Sequence, residues 1–328
     1  MSPLPSRILH PHVSTMPSAE NLNVVFSEDL NKRRLEVAEY YGLSDEEADL
    51  LPTGDDVQSY RNLGYYKSKP IFSDAEINNL VIAQDRFYNE ESKRFQTHNA
   101  DGMMKTDYAR QEITELDSFI RKQLFAANGA MLCGEPIRLW HDQLLCKNPS
   151  RNGKKANVGW HTDAHYWQSN RAAHFGHNGA QMLTGWVPLH DVGVREGSLI
   201  VIPKSHLSDL RKIDDTLDFF SKDAKQQEQD LKDRGVPFDK HTMILKKGEV
   251  SFHHVNTIHG SGDNQSEQPR RSVAIHLQPL SGRYDPLIDF TGELAVHPMM
   301  KLGIRHDENG KPDFSDPVFC PQLGVSKK

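Results

Sequence analysis

The chain has 328 residues, of which 37% are hydrophobic and 26% charged; that is enough to bury one large core, and no apolar run is long enough to span a bilayer. Its 39 basic and 45 acidic residues leave a net charge of −6, which argues against the basic footprint of a nucleic-acid or anionic-membrane binder. Three cysteines, Cys133, Cys146 and Cys320, are odd in number and unevenly spaced, so they fit a reducing, cytoplasmic setting better than a disulfide framework.

Met1 to Leu22 is rich in Pro, Ser and His and has no apolar signal-type segment, and residues 1–25 are expected to be poorly ordered. Ser44 and Glu47 form a capping-box pattern that starts a short helix, and Pro52 to Asp56 reads as a loop. Tyr65 to Phe72 reads as an entering extended segment. Ser73 and Glu76 form a second capping box, followed by Ile77, Leu80, Val81, Gln84 and Tyr88 on one helical stripe. Ile113, Leu116, Phe119, Ile120 and Leu124 predict another amphipathic helix, ending near Asn128-Gly129.

After residue 135 the pattern changes to short strand-like runs: Ile137–Lys147, Met182–Leu189, Ser198–Ile202, Glu249–His254 and Ser272–Leu280. Many short strands without alternating helices predict a mainly β fold with helical additions, a sandwich or jelly roll. Leu207 to Lys240 is highly charged and is expected to be a solvent-facing helical insertion. The expected organisation is an N-terminal extension (1–55, partly disordered), a β domain (56–300) with the insertion near 207–240, and a C-terminal tail (301–328).

Chemistry concentrates in Gly159-Trp160-His161-Thr162-Asp163 and, far downstream, Thr257-Ile258-His259-Gly260-Ser261-Gly262. In an extended strand His161 and Asp163 point the same way. With His259 from a remote strand they make a candidate two-histidine, one-carboxylate metal site, the facial arrangement diagnostic of non-haem Fe(II) oxygenases. On their own the three residues also fit a zinc hydrolase. In the last strand Arg270, Ser272, Ala274 and His276 alternate with Arg271, Val273, Ile275 and Leu277. The first set makes a small, polar face, where a cavity belongs, and Arg270 on it is suited to hold a carboxylate bidentately.

These blocks, together with Thr184-Gly185-Trp186-Val187-Pro188-Leu189, the run Glu196 to His206, and Lys247-Gly248-Glu249-Val250, resemble the phytanoyl-CoA dioxygenase family of Fe(II)- and 2-oxoglutarate-dependent oxygenases over roughly residues 60–290. Family members carry an arginine eleven residues after the distal histidine, here Arg270. The resemblance implies a double-stranded β-helix, a cupin-like jelly roll. It implies Fe(II) on His161, Asp163 and His259, with 2-oxoglutarate and O2 as co-substrates. Arg270 would meet the far carboxylate of 2-oxoglutarate with help from Ser261, and Trp186 and Gln143 would line the co-substrate pocket. Core packing for Trp186 and a plain strand-face position for Gln143 remain as alternatives. Of the residues that follow the motif, His165, Trp167 and Arg171 are candidates for substrate contact. The implied reaction is oxidation, foremost hydroxylation, of a small molecule with release of succinate and CO2. Desaturation and cyclisation are alternative outcomes, and a non-catalytic metal-binding jelly roll is the reading from another class. Asp163 argues against halogenation, in which a small residue leaves room for chloride. Neither the substrate nor the oligomeric state is legible in the sequence.

Overall fold

The computed structural model describes residues 24–89, 97–100, 102–150, 156–166, 181–209, 212–221, 223–282 and 302–324. Its first third is helical, for local reasons. Asp29 accepts from the backbone of Asn31 and Lys32 and starts α1 (Leu30–Tyr41). The Ser44–Glu47 capping box starts α2 (Asp45–Ala48). Of the stretch Pro52 to Asp56 only Pro52 and Thr53 are loop. Thr53 and Asp56 form a further capping box, with Thr53 N donating to Asp56 Oδ2 (2.9 Å) and Asp56 N to Thr53 Oγ1 (3.2 Å), and α3 (Gly54–Leu63) begins there. After β1 (Tyr65–Lys67), the Ser73–Glu76 box opens α4 (Asp74–Asn89), which buries Ile77, Leu80, Ala83, Gln84 and Phe87.

Strands β2 (Thr97–Ala100) and β3 (Met103–Asp107) lead into a second departure from expectation. The single amphipathic helix is two helices, α5 (Thr114–Ile120) and α6 (Gln123–Cys133), divided at Lys122, whose ammonium is held by Glu76 at 2.7 Å. Asn128-Gly129 lies inside α6, which ends instead on Gly134 in the left-handed conformation. Gly129 serves packing, because a Cβ there would stand 2.8 Å from Ile137 Cδ1.

The remaining elements are β4 (Ile137–Lys147), β5 (Val158–His161), α7 (Asp163–Tyr166), β6 (Leu183–Pro188), β7 (Leu199–Val201), α8 (Ala224–Asp233), β8 (His241–Thr242), β9 (Ser251–His254), β10 (His259–Ser261) and β11 (Arg270–Pro279). They form two antiparallel sheets, a seven-stranded one in the order β1-β9-β6-β11-β4-β3-β2 and a four-stranded one in the order β5-β10-β7-β8. The architecture is a double-stranded β-helix, mainly β with helical additions.

The larger sheet has two apolar duties. On one face Leu144, Val187, Phe252, Val273, Ile275 and Leu277 join Leu80, Phe125 and Ala126 of the helices in the main core. The other face looks toward the smaller sheet and carries the pocket described below. A bulge where β11 passes β4 between His276 and Leu277 leaves Trp140 outside the register, and Trp140 packs edge-on against Phe314 at 5.1 Å. The segment 302–324 is seated there through Phe314, Phe319 and Cys320. At the other end of the chain, Val37 and Tyr41 of α1 belong to the main core.

The insertion is helical over α8 but is not merely solvent-facing. Ile213, Leu217, Leu231 and Val236 are buried against Trp160, Ile202 and Ile258. It also covers the free edge of β5: Gly159 N donates to Phe219 O (3.0 Å) and Asp218 N to Trp160 O (3.0 Å). The buried Gln227 acts as an extra strand partner. Its Oε1 accepts from Trp160 N (3.0 Å) and its Nε2 donates to Trp160 O (3.1 Å). Gly159 is required at this edge, since a Cβ would meet Asp218 O at 2.2 Å. An exposed edge beside a functional strand is a liability that this cover removes.

Candidate active site and metal centre

His161 is the last residue of β5, and His259, the first of β10, lies directly opposite it in the antiparallel pair. Their rings are 4.1 Å apart. Each is aimed by its own chain two residues back. His161 Nδ1 donates to Gly159 O and His259 Nδ1 to Thr257 O, both at 2.9 Å. A carbonyl can only accept, so Nδ1 carries the proton in both and each Nε2 presents a lone pair. Burial pushes His161 down to about 4. Burial, with His161 and His253 adjacent, also pushes His259 well below its ordinary value. Both imidazoles are therefore neutral at neutral pH, as metal ligands must be.

Asp163 reaches the same point by a different route from the expected one. The strand stops at His161, and Asp163 opens the helical turn α7, so strand alternation does not place it. It is fixed by what its Oδ2 touches: Thr184 Oγ1 donates to it at 2.5 Å, and His253 Nε2 lies 3.3 Å away. Oδ1 faces His259 Nε2 at 3.7 Å. Burial pushes this carboxyl up, but the histidines packed around it, His276 first, outweigh that and hold it well below the usual carboxylate range.

Donor atoms of His161, Asp163 and His259 all lie within 4.8 Å of one another. A point between them is then no farther than about 2.8 Å from each, and a small contraction gives ligand bonds of roughly 2.0–2.2 Å. Two neutral imidazoles and one ionised carboxylate on one side of an ion fit Fe(II) with open positions.

Arg270 lies at the other end of this pocket. It is 2% exposed, its guanidinium carbon stands 5.3 Å from the centre of the Trp186 ring, and its Nη1 donates to Gly197 O. Its Nε is buried without an acceptor, and no carboxylate among the described residues pairs with it. Burial lowers it to about 10, which leaves it charged at neutral pH. A buried guanidinium that lines the pocket and keeps one donor without an acceptor fits an anionic ligand such as the far carboxylate of 2-oxoglutarate. Arg271 faces the other way and pairs with Asp85 of α4.

Trp186, Gln143 and Ser261 also line the pocket. Gln143 Nε2 donates to Asp107 Oδ1 (2.9 Å), and Ser261 Oγ accepts from Lys147 Nζ (2.6 Å). His165 is not brought to the pocket; it is half-buried, with its ring beside Tyr166 at 4.8 Å. Trp167 and Arg171 lie outside the described residues.

Several lining residues had weaker signals. Thr184 shares a strand face with Trp186, and His276 shares one with Arg270, so period-two counting could have found both. His253 reads most simply as a packed structural histidine in sequence, yet it faces Asp163. Phe219 had no signal at all. It comes from the insertion and stands 4.9 Å from the His161 ring.

A double-stranded β-helix with a His-x-Asp…His group at one end of its pocket and a buried arginine at the other defines the non-haem, metal-dependent oxygenase class. The chain belongs to the phytanoyl-CoA dioxygenase (PhyH) family, whose model matches residues 32–272. The family is one of Fe(II)- and 2-oxoglutarate-dependent dioxygenases, with which the His161–Asp163–His259 group is consistent. Similar proteins include one named probable alpha-ketoglutarate-dependent hypophosphite dioxygenase from Stutzerimonas stutzeri, 25% identical over 66% of this chain and 76% of the relative. Another is the ectoine dioxygenase of Bordetella bronchiseptica, 24% identical over 73% of this chain and 79% of the relative. Among solved structures, the non-heme alpha ketoglutarate dependent carbocyclase SnoK from nogalamycin biosynthesis has a TM-score of 0.55 at 22% identity, covering 70% of this chain and 84% of SnoK. That likeness shows the shared fold. Among the described residues no helix is long and apolar enough to cross a membrane.

Proposed function

We propose that this protein hydroxylates a small-molecule substrate with Fe(II), 2-oxoglutarate and O2. The observation that carries the proposal is the pairing, in one pocket, of the His161–Asp163–His259 donor group with the buried Arg270. Nε2 of both histidines and the Asp163 carboxylate would hold the iron. Thr184, donating to Oδ2, would hold the Asp163 carboxylate in place. Arg270 and Ser261 take the far carboxylate of 2-oxoglutarate, and Trp186 and Gln143 wall its chain. When bound together, iron, 2-oxoglutarate and O2 would supply the oxidising power for the reaction, one oxygen atom going to the substrate and the other to succinate as CO2 leaves.

Burial does the rest of the work. The ligands and Arg270 are each less than a tenth exposed, so water is kept from the reacting centre and each charge acts in a poorly screened site. Asp163 occupies the position that a halide would need, which favours hydroxylation over halogenation. The test has two stages. Anaerobic addition of 2-oxoglutarate to the Fe(II) protein should produce a weak visible charge-transfer band. A metabolite screen for succinate release, run with labelled dioxygen, should then return a product carrying one labelled oxygen. A main product that is unsaturated, cyclised or chlorinated would replace hydroxylation with that outcome, and absence of the band would return the chain to a non-catalytic reading.

A further inference from the structure

Lys147 is fully buried at the end of β4, directly opposite Arg270 of β11 in the antiparallel register. Gln143, Leu145 and Lys147 fall on one face of β4, and the first two line the pocket. The Lys147 ammonium donates to Ser261 Oγ at 2.6 Å and to Gly262 O at 2.7 Å. An ammonium has no lone pair, so in the first of these bonds Ser261 must accept. The hydroxyl proton of Ser261 is thereby turned away from Lys147, and Ser261 lines the same pocket as Arg270.

From this we infer that Lys147 is a positioning residue for the co-substrate: it fixes Ser261 as a hydrogen-bond donor into the pocket, beside Arg270, and so sets the preference for a 2-oxo acid that carries a second carboxylate. The inference rests on the co-substrate reading above. Lys147 never touches the ligand. It acts through Ser261, at the same end of the pocket as Arg270. The opposite end, where the 2-oxo acid meets the iron, is built from other residues. Loss of Lys147 should therefore weaken binding of the dicarboxylate selectively.

The experiment measures Kd for 2-oxoglutarate and for 2-oxopentanoate, which has the same chain length without the far carboxylate. Quenching of intrinsic tryptophan fluorescence in anaerobic Fe(II)-loaded protein gives both values, since Trp186 lines the pocket. Lys147→Met should raise Kd for 2-oxoglutarate roughly tenfold or more, the size expected for a hydrogen bond to a charged group, and leave 2-oxopentanoate within about threefold. Ser261→Ala should show the same selectivity, and adding Lys147→Met to it should change little more. A merely structural lysine would weaken both acids alike, and that result would overturn the inference. So would a Ser261→Ala protein that binds both acids as the wild type does, a result that needs no folded Lys147 variant. A wild type that does not prefer 2-oxoglutarate would overturn the co-substrate reading and this inference together. A wild type that prefers it, with the preference kept in Lys147→Met, would overturn this inference alone.

Discussion

The two ends of the pocket are built on different principles. Arg270 sits on β11, which pairs with β4 in unbroken register from Arg270 to His276 and with β6 on its other side. The metal end rests on β5 and β10, which share two register pairs with an irregularity between them. A long central strand fixes every second side chain to one face. Short strands with an irregular pairing do not, so at the metal end each ligand has a fixing contact of its own: a carbonyl behind each histidine, Thr184 behind Asp163, and the insertion along the edge strand β5. The anion end is held by the sheet, whereas the metal end depends on individual hydrogen bonds.

The contrast is broken most directly at the ligands. His161→Ala, Asp163→Ala or His259→Ala should each abolish Fe(II) binding or turnover while circular dichroism shows the fold intact. Full activity in any one of them would remove that residue from the ligand set. Next comes the anion end. Arg270→Ala should raise the 2-oxoglutarate requirement roughly 30-fold or more, since truncating a buried charge contact costs on the order of 2–5 kcal/mol. Arg270→Lys should restore only part of it, because a point charge lacks the fork. Steady-state titration of 2-oxoglutarate at fixed iron and substrate reads both.

A smaller effect is expected where the insertion braces the metal end. Gln227→Ala leaves the Trp160 N–H and carbonyl without their side-chain partner, a loss of about 1–3 kcal/mol. Denaturant unfolding should show it, together with weaker iron affinity and an unchanged ratio of 2-oxoglutarate to 2-oxopentanoate binding. If the ratio moves as well, the two ends are coupled and the contrast is too sharp. Least is expected of Arg271→Ala. It removes a partly exposed pair with Asp85, worth about 1 kcal/mol or less, and should change the 2-oxoglutarate requirement by less than about threefold. A large effect there would mean that β11 is shifted by one residue.

Much of this was legible in the chain because it is local. The capping boxes at Ser44 and Ser73 name their helices with four residues each. The alternation from Arg270 to Leu277 sorts pocket from core without any knowledge of the partner strands. Local signals also misled. Thr53-x-x-Asp56 was a capping box too, with Asp in place of the more usual Glu, and Asn128-Gly129 looked like a helix end. There Gly129 answers to Ile137 across the packing rather than to the helix itself.

Sequence alone determined which residues could serve as ligands, because only a few side-chain types bind a metal or an anion and their spacing is part of the chain. Tertiary structure decided how they meet. Asp163 reaches the histidines from a helical turn, and His253 is turned toward it by the β6–β9 register that sets His253 opposite Thr184. Phe219 and Gln227 reach β5 from a segment whose composition suggested only solvent, and Lys147 finds Ser261 across 114 residues of chain. The physical reason is common to all of them. A long strand's alternation is a property of its own backbone, whereas a contact between distant elements exists only after the sheets have closed on each other.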